Sequence, residues 1–371
     1  MNVPKLRFKE FNEEWNEYIL QSESDVRDGT HDSPKYADSG YPLITSKNLT
    51  DIGTLDFSNV NYLKQEDFNK INQRSKVDIG DILFGMIGTI GKPVKIDRDD
   101  FAIKNVALIK ENGLIKNDYL IHYLHSKSIN RQFADNQDGG TQKFISLDKI
   151  RKLKINMPSR NEQKKIVSLF NLLDKKTELQ SKKIENLKLF KKGLSATIFN
   201  NLEDLKEYKL GEICSITTGK LDANAMVENG KYRFYTCAKE YSFIDKYAFD
   251  TEALLISGNG AYVGYIHYYK GKFNAYQRTY VLNNFTQNIQ FIKCYLEQNL
   301  SKKINSEKKE GNTPYIVLST LADMTIKTPS KDEQIKISNI INYCNSKINL
   351  EKDKLLKLQE LKKGLMQSMF V

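Results

Sequence analysis

The sequence predicts an α+β protein: two globular domains alternate with two long α-helices that pair as an antiparallel coiled coil, a pseudo-two-fold internal repeat. Three observations predict it. Residues 158 to 199 open with PSRNEQKKI and close with FKKGLSATIF, while residues 329 to 370 open with PSKDEQIKI and close with LKKGLMQSMF. One offset of 171 residues pairs Pro158 with Pro329, Glu162 with Glu333, Gln163 with Gln334 and Gly193 with Gly364. Apolar residues recur along both stretches at alternating steps of four and three, the signature of a helical seam. Ahead of each stretch lie short apolar runs punctuated by glycine, the pattern of strands and tight turns.

Taken in order, residues 1–157 read as a first globular domain. Phe8, Phe11 and Trp15 suggest a short leading helix with one apolar face. Tyr41 to Ile44, Ile82 to Ile87, Val94 to Ile96 and Ala102 to Ile109 read as strands, separated by Gly80-Asp81, Gly85, Gly88 and Gly91. Asn117 to Leu124 reads as a short helix with Asp118 near its start, resuming to Phe133. A polar loop at Asp135 to Gln142 follows, and Leu153 to Met157 leads into the first long helix.

Residues 158–200 form that helix and residues 329–371 its copy. Ser159 and Ser330 stand three residues before Glu162 and Glu333, so each hydroxyl can accept from a first-turn N–H while the carboxylate reaches back to the cap. The first seam comprises Ile166, Phe170, Leu173, Ile184, Leu187 and Leu194, the second Ile337, Ile341, Ile348, Leu355, Leu358 and Leu365. At ~1.5 Å rise per residue each helix extends nearly 60 Å. A single stripe of that length cannot bury itself, and matched length and register make the other copy its partner. Val167, Leu169, Phe170, Leu172 and Leu189 widen the first stripe and imply a further apolar partner. Between the helices, residues 201–328 repeat the order of the first domain. Arg233 to Thr236 corresponds to Pro42 to Thr45, Leu254 to Val263 to Ile82 to Ile90, and Phe291 to Ile304 to the helices near 117 to 133.

Lys and Arg number 57 against 46 Asp and Glu, a net charge of +11. They exceed the acids by six in residues 160–200 and by three in 331–371, so most of the excess lies on the helices. That fits either a solvated coiled-coil face or a positive spine beside phosphates. No apolar run reaches the ~18 residues that span a bilayer, and MNVPKLRFKEFNEEW lacks a signal-peptide core, so a cytoplasmic protein is expected. Cys214, Cys237, Cys294 and Cys344 are widely separated and read as small apolar residues. Gly91-Lys92 is followed by Pro93 where a phosphate loop needs a hydroxyl, and Gly258-Asn259-Gly260 has its next glycine at Gly264, one residue too far for a dinucleotide turn. Of four histidines, His122 and His125 alone lie close together, with no further ligands to make a metal site. No catalytic residues and no metal ligands stand out.

Two similar domains carried on an antiparallel helical pair present two reading heads, a geometry that suits two half-sites on one face of a duplex. The paired motifs, PSRNEQKKI with KKGL and PSKDEQIKI with KKGL, each behind a variable domain, resemble the specificity (S) subunit of type I restriction-modification systems over essentially the whole chain. The resemblance implies target recognition domain 1 at 1–157, helical region 1 at 158–200, target recognition domain 2 at 201–328 and helical region 2 at 329–371. It implies a non-catalytic subunit that binds a bipartite double-stranded DNA site and recruits two modification subunits, which methylate adenine at N6. Restriction would add motor-nuclease subunits. S-adenosylmethionine, ATP and Mg²⁺ would belong to those partners, leaving no cofactor in this chain. In such domains loops beside the strands face the grooves. Candidate DNA-binding residues are therefore Thr45, Ser46, Lys47, Asn48, Lys92, Lys104, Asn105, Thr141, Gln142 and Lys143 in the first domain, and Thr236, Lys239, Asn259, Gln277, Arg278, Lys309, Asn312 and Thr313 in the second. Lysines would hold phosphates; Asn105, Gln277 and Arg278 have the geometry for base edges. The competing readings are a coiled-coil scaffold that binds no DNA and a stand-alone DNA-modifying enzyme.

Overall fold

A computed structural model describes residues 3–50, 53–88, 90–134, 144–307 and 315–371. It divides into two compact units, residues 1–180 with 354–371 and residues 181–353. No helix among the described residues is long and apolar enough to cross a membrane.

In the first unit the chain forms β1 (Asn16–Ile19), α1 (Leu20–Glu23), β2 (Ser24–Asp28), β3 (Tyr41–Ile44), β4 (Asn61–Leu63) and α2 (Gln65–Ser75). There follow β5 (Ile82–Gly85), β6 (Gly91–Lys95), β7 (Ala102–Ile103), β8 (Val106–Glu111), α3 (Asn117–Tyr123), α4 (Lys127–Ala134), α5 (Leu147–Arg151) and β9 (Lys154–Met157). An antiparallel sheet runs β2-β8-β5-β6, and a smaller one runs β4-β3-β7 with β3 and β7 parallel. Side chains alternate across the larger sheet. Ile82, Phe84, Ala107 and Ile109 join Trp15, Tyr119 and Tyr123 in one core, while Leu83, Val106 and Leu108 join Ile44, Val94 and Phe101 in another. Burial on both faces explains why ILFG and VALI are continuous apolar runs. β1 and β9 close the unit as an antiparallel ribbon, with Asn16 opposite Met157.

Two sequence expectations fail here. Phe8 to Trp15 form no helix, because long-range contacts take over the segment: Leu6 N donates to Ser368 O at 2.9 Å and Arg7 reaches Glu162. The strand expected over Ala102 to Ile109 is broken at Lys104-Asn105, where Asn105 takes a left-handed φ of 55°. Helix α2 was not anticipated. The loop expected at Asp135 to Gln142 lies outside the described residues.

α6 (Arg160–Asn200) starts directly after its Pro-Ser cap. Ser159 Oγ accepts from Glu162 N at 3.4 Å, but the Glu162 carboxylate does not return to the cap as the sequence suggested: it is buried in a bidentate pair with Arg7, both contacts 2.7 Å. Gln163 reaches back instead, donating to Pro158 O at 3.1 Å.

The second unit contains β10 (Lys206–Lys209), α7 (Leu210–Ile213), β11 (Ser215–Thr218), β12 (Tyr232–Tyr235), β13 (Ser242–Ile244), β14 (Phe249–Ser257), β15 (Ile266–Ala275) and β16 (Thr279–Asn283). α8 (Ile289–Glu307), α9 (Leu318–Ala322), β17 (Thr325–Thr328) and the part of α10 (Lys331–Met369) up to Asp353 complete it. One six-stranded sheet runs β11-β16-β14-β15-β12-β13, with β12 and β15 parallel as β3 and β7 are in the first unit. β10 and β17 form the closing ribbon, Lys206 opposite Thr328. At the start of α10, Ser330 Oγ accepts from Glu333 N at 3.3 Å, and Gln334 donates to Pro329 O at 3.0 Å, repeating the α6 arrangement.

Within each unit α6 and α10 run antiparallel. In the first, Ile166 and Phe170 share a core with Met369 and Phe370, and Asp174 pairs with Lys362. In the second, Ile198 and Phe199 pack beside Ile337 and Ile341, and Lys183 pairs with Glu351 at 3.2 Å. Ile166, Phe170, Leu173, Ile184, Ile337, Ile341 and Ile348 are buried; Leu187, Leu194, Leu355, Leu358 and Leu365 are half-buried. Val167, Leu169 and Phe170 do not await a partner but pack in the first unit's own core, whereas Leu172 and Leu189 are 52% and 61% exposed.

Candidate nucleic-acid interface

The candidate residues gather where a parallel strand pair crosses a glycine-bearing loop. In the first unit the chain leaving β2 runs beside β7, with a parallel bridge from Thr30 to Lys104. Gly29 makes this approach possible, since a Cβ there would stand 2.4 Å from Ile103 O. Lys104 N donates to Ile44 O at 2.9 Å, and Ser46 Oγ donates to Asn105 O at 3.1 Å, so the turn after β3 is fastened to the break between β7 and β8.

This junction brings Thr45, Ser46, Lys47, Asn48, Lys104 and Asn105 together, but not on equal terms. Ser46 and Asn48 are buried. Asn48 Oδ1 accepts from Thr45 N and Oγ1 at 2.9 Å, and its Nδ2 donates to Asp56 O at 3.0 Å and Asn59 O at 3.3 Å. Their polar groups hold the loop and do not face outward, which corrects their choice as DNA contacts. Lys47 is exposed, and Lys104 Nζ donates to Ser33 Oγ at 2.8 Å. Lys92 lies in β6 with φ 49°, on the larger sheet.

Sequence reasoning passed over His31, Asp28 and Arg74, which stand against Asn105. His31 Nε2 lies 2.7 Å from Asp28 Oδ2 and Nδ1 lies 2.8 Å from Asn105 Oδ1, while Arg74 pairs with the other Asp28 oxygen. The hydrogen bond to Asp28, then that to Asn105, raises the His31 pKa above its ordinary value. A histidine two residues after a turn glycine carries no signal in one sequence; the partners come from β2, α2 and the β7–β8 break.

The second unit builds the same junction. Leu221 bridges Tyr276 in parallel, Gly219 passes against Ala275, and Tyr276 N donates to Tyr235 O at 2.9 Å. Thr236 follows β12 directly. Gln277 is exposed, its Nε2 donating to Asp222 Oδ1 at 2.7 Å. Arg278 is exposed, and its carbonyl accepts from Gly258 N at 2.9 Å, which places half-buried Asn259 beside it. Lys239 Nζ sits 5.1 Å from the Tyr262 ring. Arg233, not anticipated, lies 4.3 Å from the Tyr241 ring and 4.6 Å from that of Tyr269, a cation held between aromatic faces. Thr141, Gln142, Lys143, Lys309, Asn312 and Thr313 lie outside the described residues.

The family described as type I restriction modification DNA specificity domain matches residues 13–189 and 202–360. Over 165 residues, 44% of the chain, the sequence is 38% identical to the type I restriction enzyme EcoDI specificity subunit of Escherichia coli, covering 36% of that protein. It is 28% identical over 233 residues to the putative MjaX specificity subunit of Methanocaldococcus jannaschii, 58% of this chain and 52% of that one. The chain thus spans about a third to a half of the length of these curated relatives. In fold it is similar to the crystal structure of the type I restriction-modification S subunit from M. genitalium, with TM-score 0.63, 20% identity and coverage of 100% of this chain and 99% of that one. A chain from a structure of type I R-M complex assembly gives TM-score 0.60 at 15% identity, covering 95% and 96%. With both of its halves matched, the chain belongs to the type I restriction modification DNA specificity domain family.

Proposed function

We propose that the chain is the DNA sequence-specificity subunit of a type I restriction-modification complex, a non-catalytic, cytoplasmic protein that binds a bipartite double-stranded site. Residues 1–157 would read one half-site and 201–328 the other, with helical regions 158–200 and 329–371 setting the gap. The observation that carries this reading is the doubling: two copies of a DNA specificity domain in one chain, each with an exposed polar and basic junction. Lys47, Lys104 and Lys239 have the charge to hold phosphates, with Lys92 beside them in role; Asn105, Gln277 and Arg278 have the amide or forked geometry for base edges.

Recruitment would run through the helices, where Leu172, Leu179, Leu189, Phe190, Tyr343 and Leu350 stay exposed on otherwise seam-forming elements. Two modification subunits using S-adenosylmethionine, and restriction subunits using ATP and Mg²⁺, are the proposed partners. To test this, the chain is co-expressed with candidate modification subunits and N6-methyladenine is mapped across a host genome by single-molecule sequencing. A methylated bipartite motif with a fixed gap is expected. An assembled complex that binds S-adenosylmethionine yet leaves no motif would sink the reading.

A further inference from the structure

We propose that His31 is a positioning residue for base recognition in the first unit: by donating both ring N–H groups, to Asp28 and to Asn105, it turns the Asn105 amide so that its NH₂ is what remains to meet a base edge. The inference rests on the DNA-reading function proposed above and deepens it.

The argument starts from hydrogen-bond chemistry. Asp28 ends β2, is buried, and accepts from Arg74 on one oxygen, so its other oxygen can only accept from His31 Nε2. A neutral imidazole has one N–H, which this contact uses. Its Nδ1 would then present a lone pair to Asn105 Oδ1 at 2.8 Å, acceptor against acceptor. With Asn105 Oδ1 facing Nδ1, the protonation state that satisfies both contacts at once is the imidazolium. Were the ring to lose that proton, the amide would have to turn and offer its NH₂ to Nδ1, leaving Oδ1 outward.

The Asn105 backbone cannot relieve the choice. It holds φ 55°, its N donates to Thr30 O at 3.2 Å and its O accepts from Ser46. Only rotation of the amide is left, and Asn105 Nδ2 has no hydrogen-bond partner among the described residues. The charged groups around the ring are Asp28, which favours the cation, and Arg74, which opposes it. Asp32, Asp67 and Lys70 line the same groove of about 460 Å³, and Lys104 sits on Ser33 at its edge.

An outward NH₂ matches the major-groove acceptors of guanine, thymine or adenine N7 and rejects the amino group of cytosine; an outward oxygen reverses that preference. A phosphate would also take the NH₂, but without regard to sequence. The donor form is present below the folded pKa of His31 and lost as pH rises through it.

The test uses the chain assembled with modification subunits and duplexes carrying its mapped motif, with every single-base change in the half-site that an exchange of residues 1–157 alters. Ratios of initial methylation rates, cognate over changed, are measured from pH 6 to 9, so that the catalytic subunit's own pH response cancels. At one position the ratio should fall about tenfold as pH rises, while ratios in the other half-site stay level. His31→Gln should give a low, pH-independent ratio at that position alone. Histidine ¹⁵N NMR of the full chain should find both His31 nitrogens protonated at neutral pH, titrating above the free-imidazole value of about 6.5. Level ratios throughout the first half-site, a neutral ring, or an equal effect of His31→Gln on every duplex would overturn the inference. Failure of the assembled wild type to methylate any motif would overturn the DNA reading as well, whereas a neutral ring with sequence discrimination intact removes only the role of His31.

Discussion

Glu162 and Glu333 occupy the same place in two copies of one motif, yet Glu162 is buried against Arg7 and Glu333 is exposed. Removing Arg7 leaves a carboxylate in a buried site, so Arg7→Ala should destabilise the first unit by ~3–5 kcal/mol, read by urea unfolding. Adding Glu162→Gln should recover much of that loss; an additive double variant would show that the pair is not the cause. His122 gives a pH signature. Burial, resisted by its contact with Asn171, pushes its pKa down to about 4, and burial does the same for His125. The unfolded chain therefore binds more protons than the folded one between ~6.5 and about 4. Stability should be level above that window and fall as pH drops through it, and His122→Gln should flatten the decline in unfolding midpoints. At this scale the sequence was a poor guide to the candidate site. Ser46 and Asn48 have the same chemistry as exposed loop residues, and only the folded turn reveals that their donors and acceptors are spent on Asn105, Asp56 and Asn59.

At the scale of elements the long helices were the most legible part, because a seam repeated over forty residues has few other readings. Phe170 is fully buried, stacks on Phe370 at 5.5 Å and on His122 at 5.1 Å, so Phe170→Ala should cost ~3–5 kcal/mol. Leu189 and Phe190, 61% and 62% exposed, should behave oppositely. Changing both to Lys should shift the unfolding midpoint little while weakening association with modification subunits at least ~10-fold, a loss of a hot-spot contact readable by pull-down titration. Unchanged association would place docking elsewhere. The strands were legible where burial is two-sided, as in ILFG and VALI, and obscure where pairing partners are distant in sequence. Neither β1–β9 nor β10–β17 can be inferred from NEYI or KEYK, which are short, polar and shaped by their neighbours.

For the whole molecule the 171-residue offset makes domain, helix, domain, helix visible in the sequence itself, and both halves match one family. What the offset could not expose is how the diverged halves rebuild one junction from different residues: Gly29, Thr30 and Lys104 in one, Gly219, Leu221 and Tyr276 in the other. Exchanging residues 1–157 for those of a relative should replace one half of the methylated motif and leave the other half and the gap intact, as read by genome-wide methylation mapping. Both halves changing together would contradict independent reading heads. The closing ribbons bear on this exchange. Because each unit's first strand is hydrogen-bonded to the strand that precedes its long helix, the chain arrives and departs at neighbouring points, and the intervening hundred-odd residues form a cassette. Under the proposed DNA reading, recombination within it would rewrite what is read while the path of the chain into the helices, and with it any assembly built on them, stays inherited.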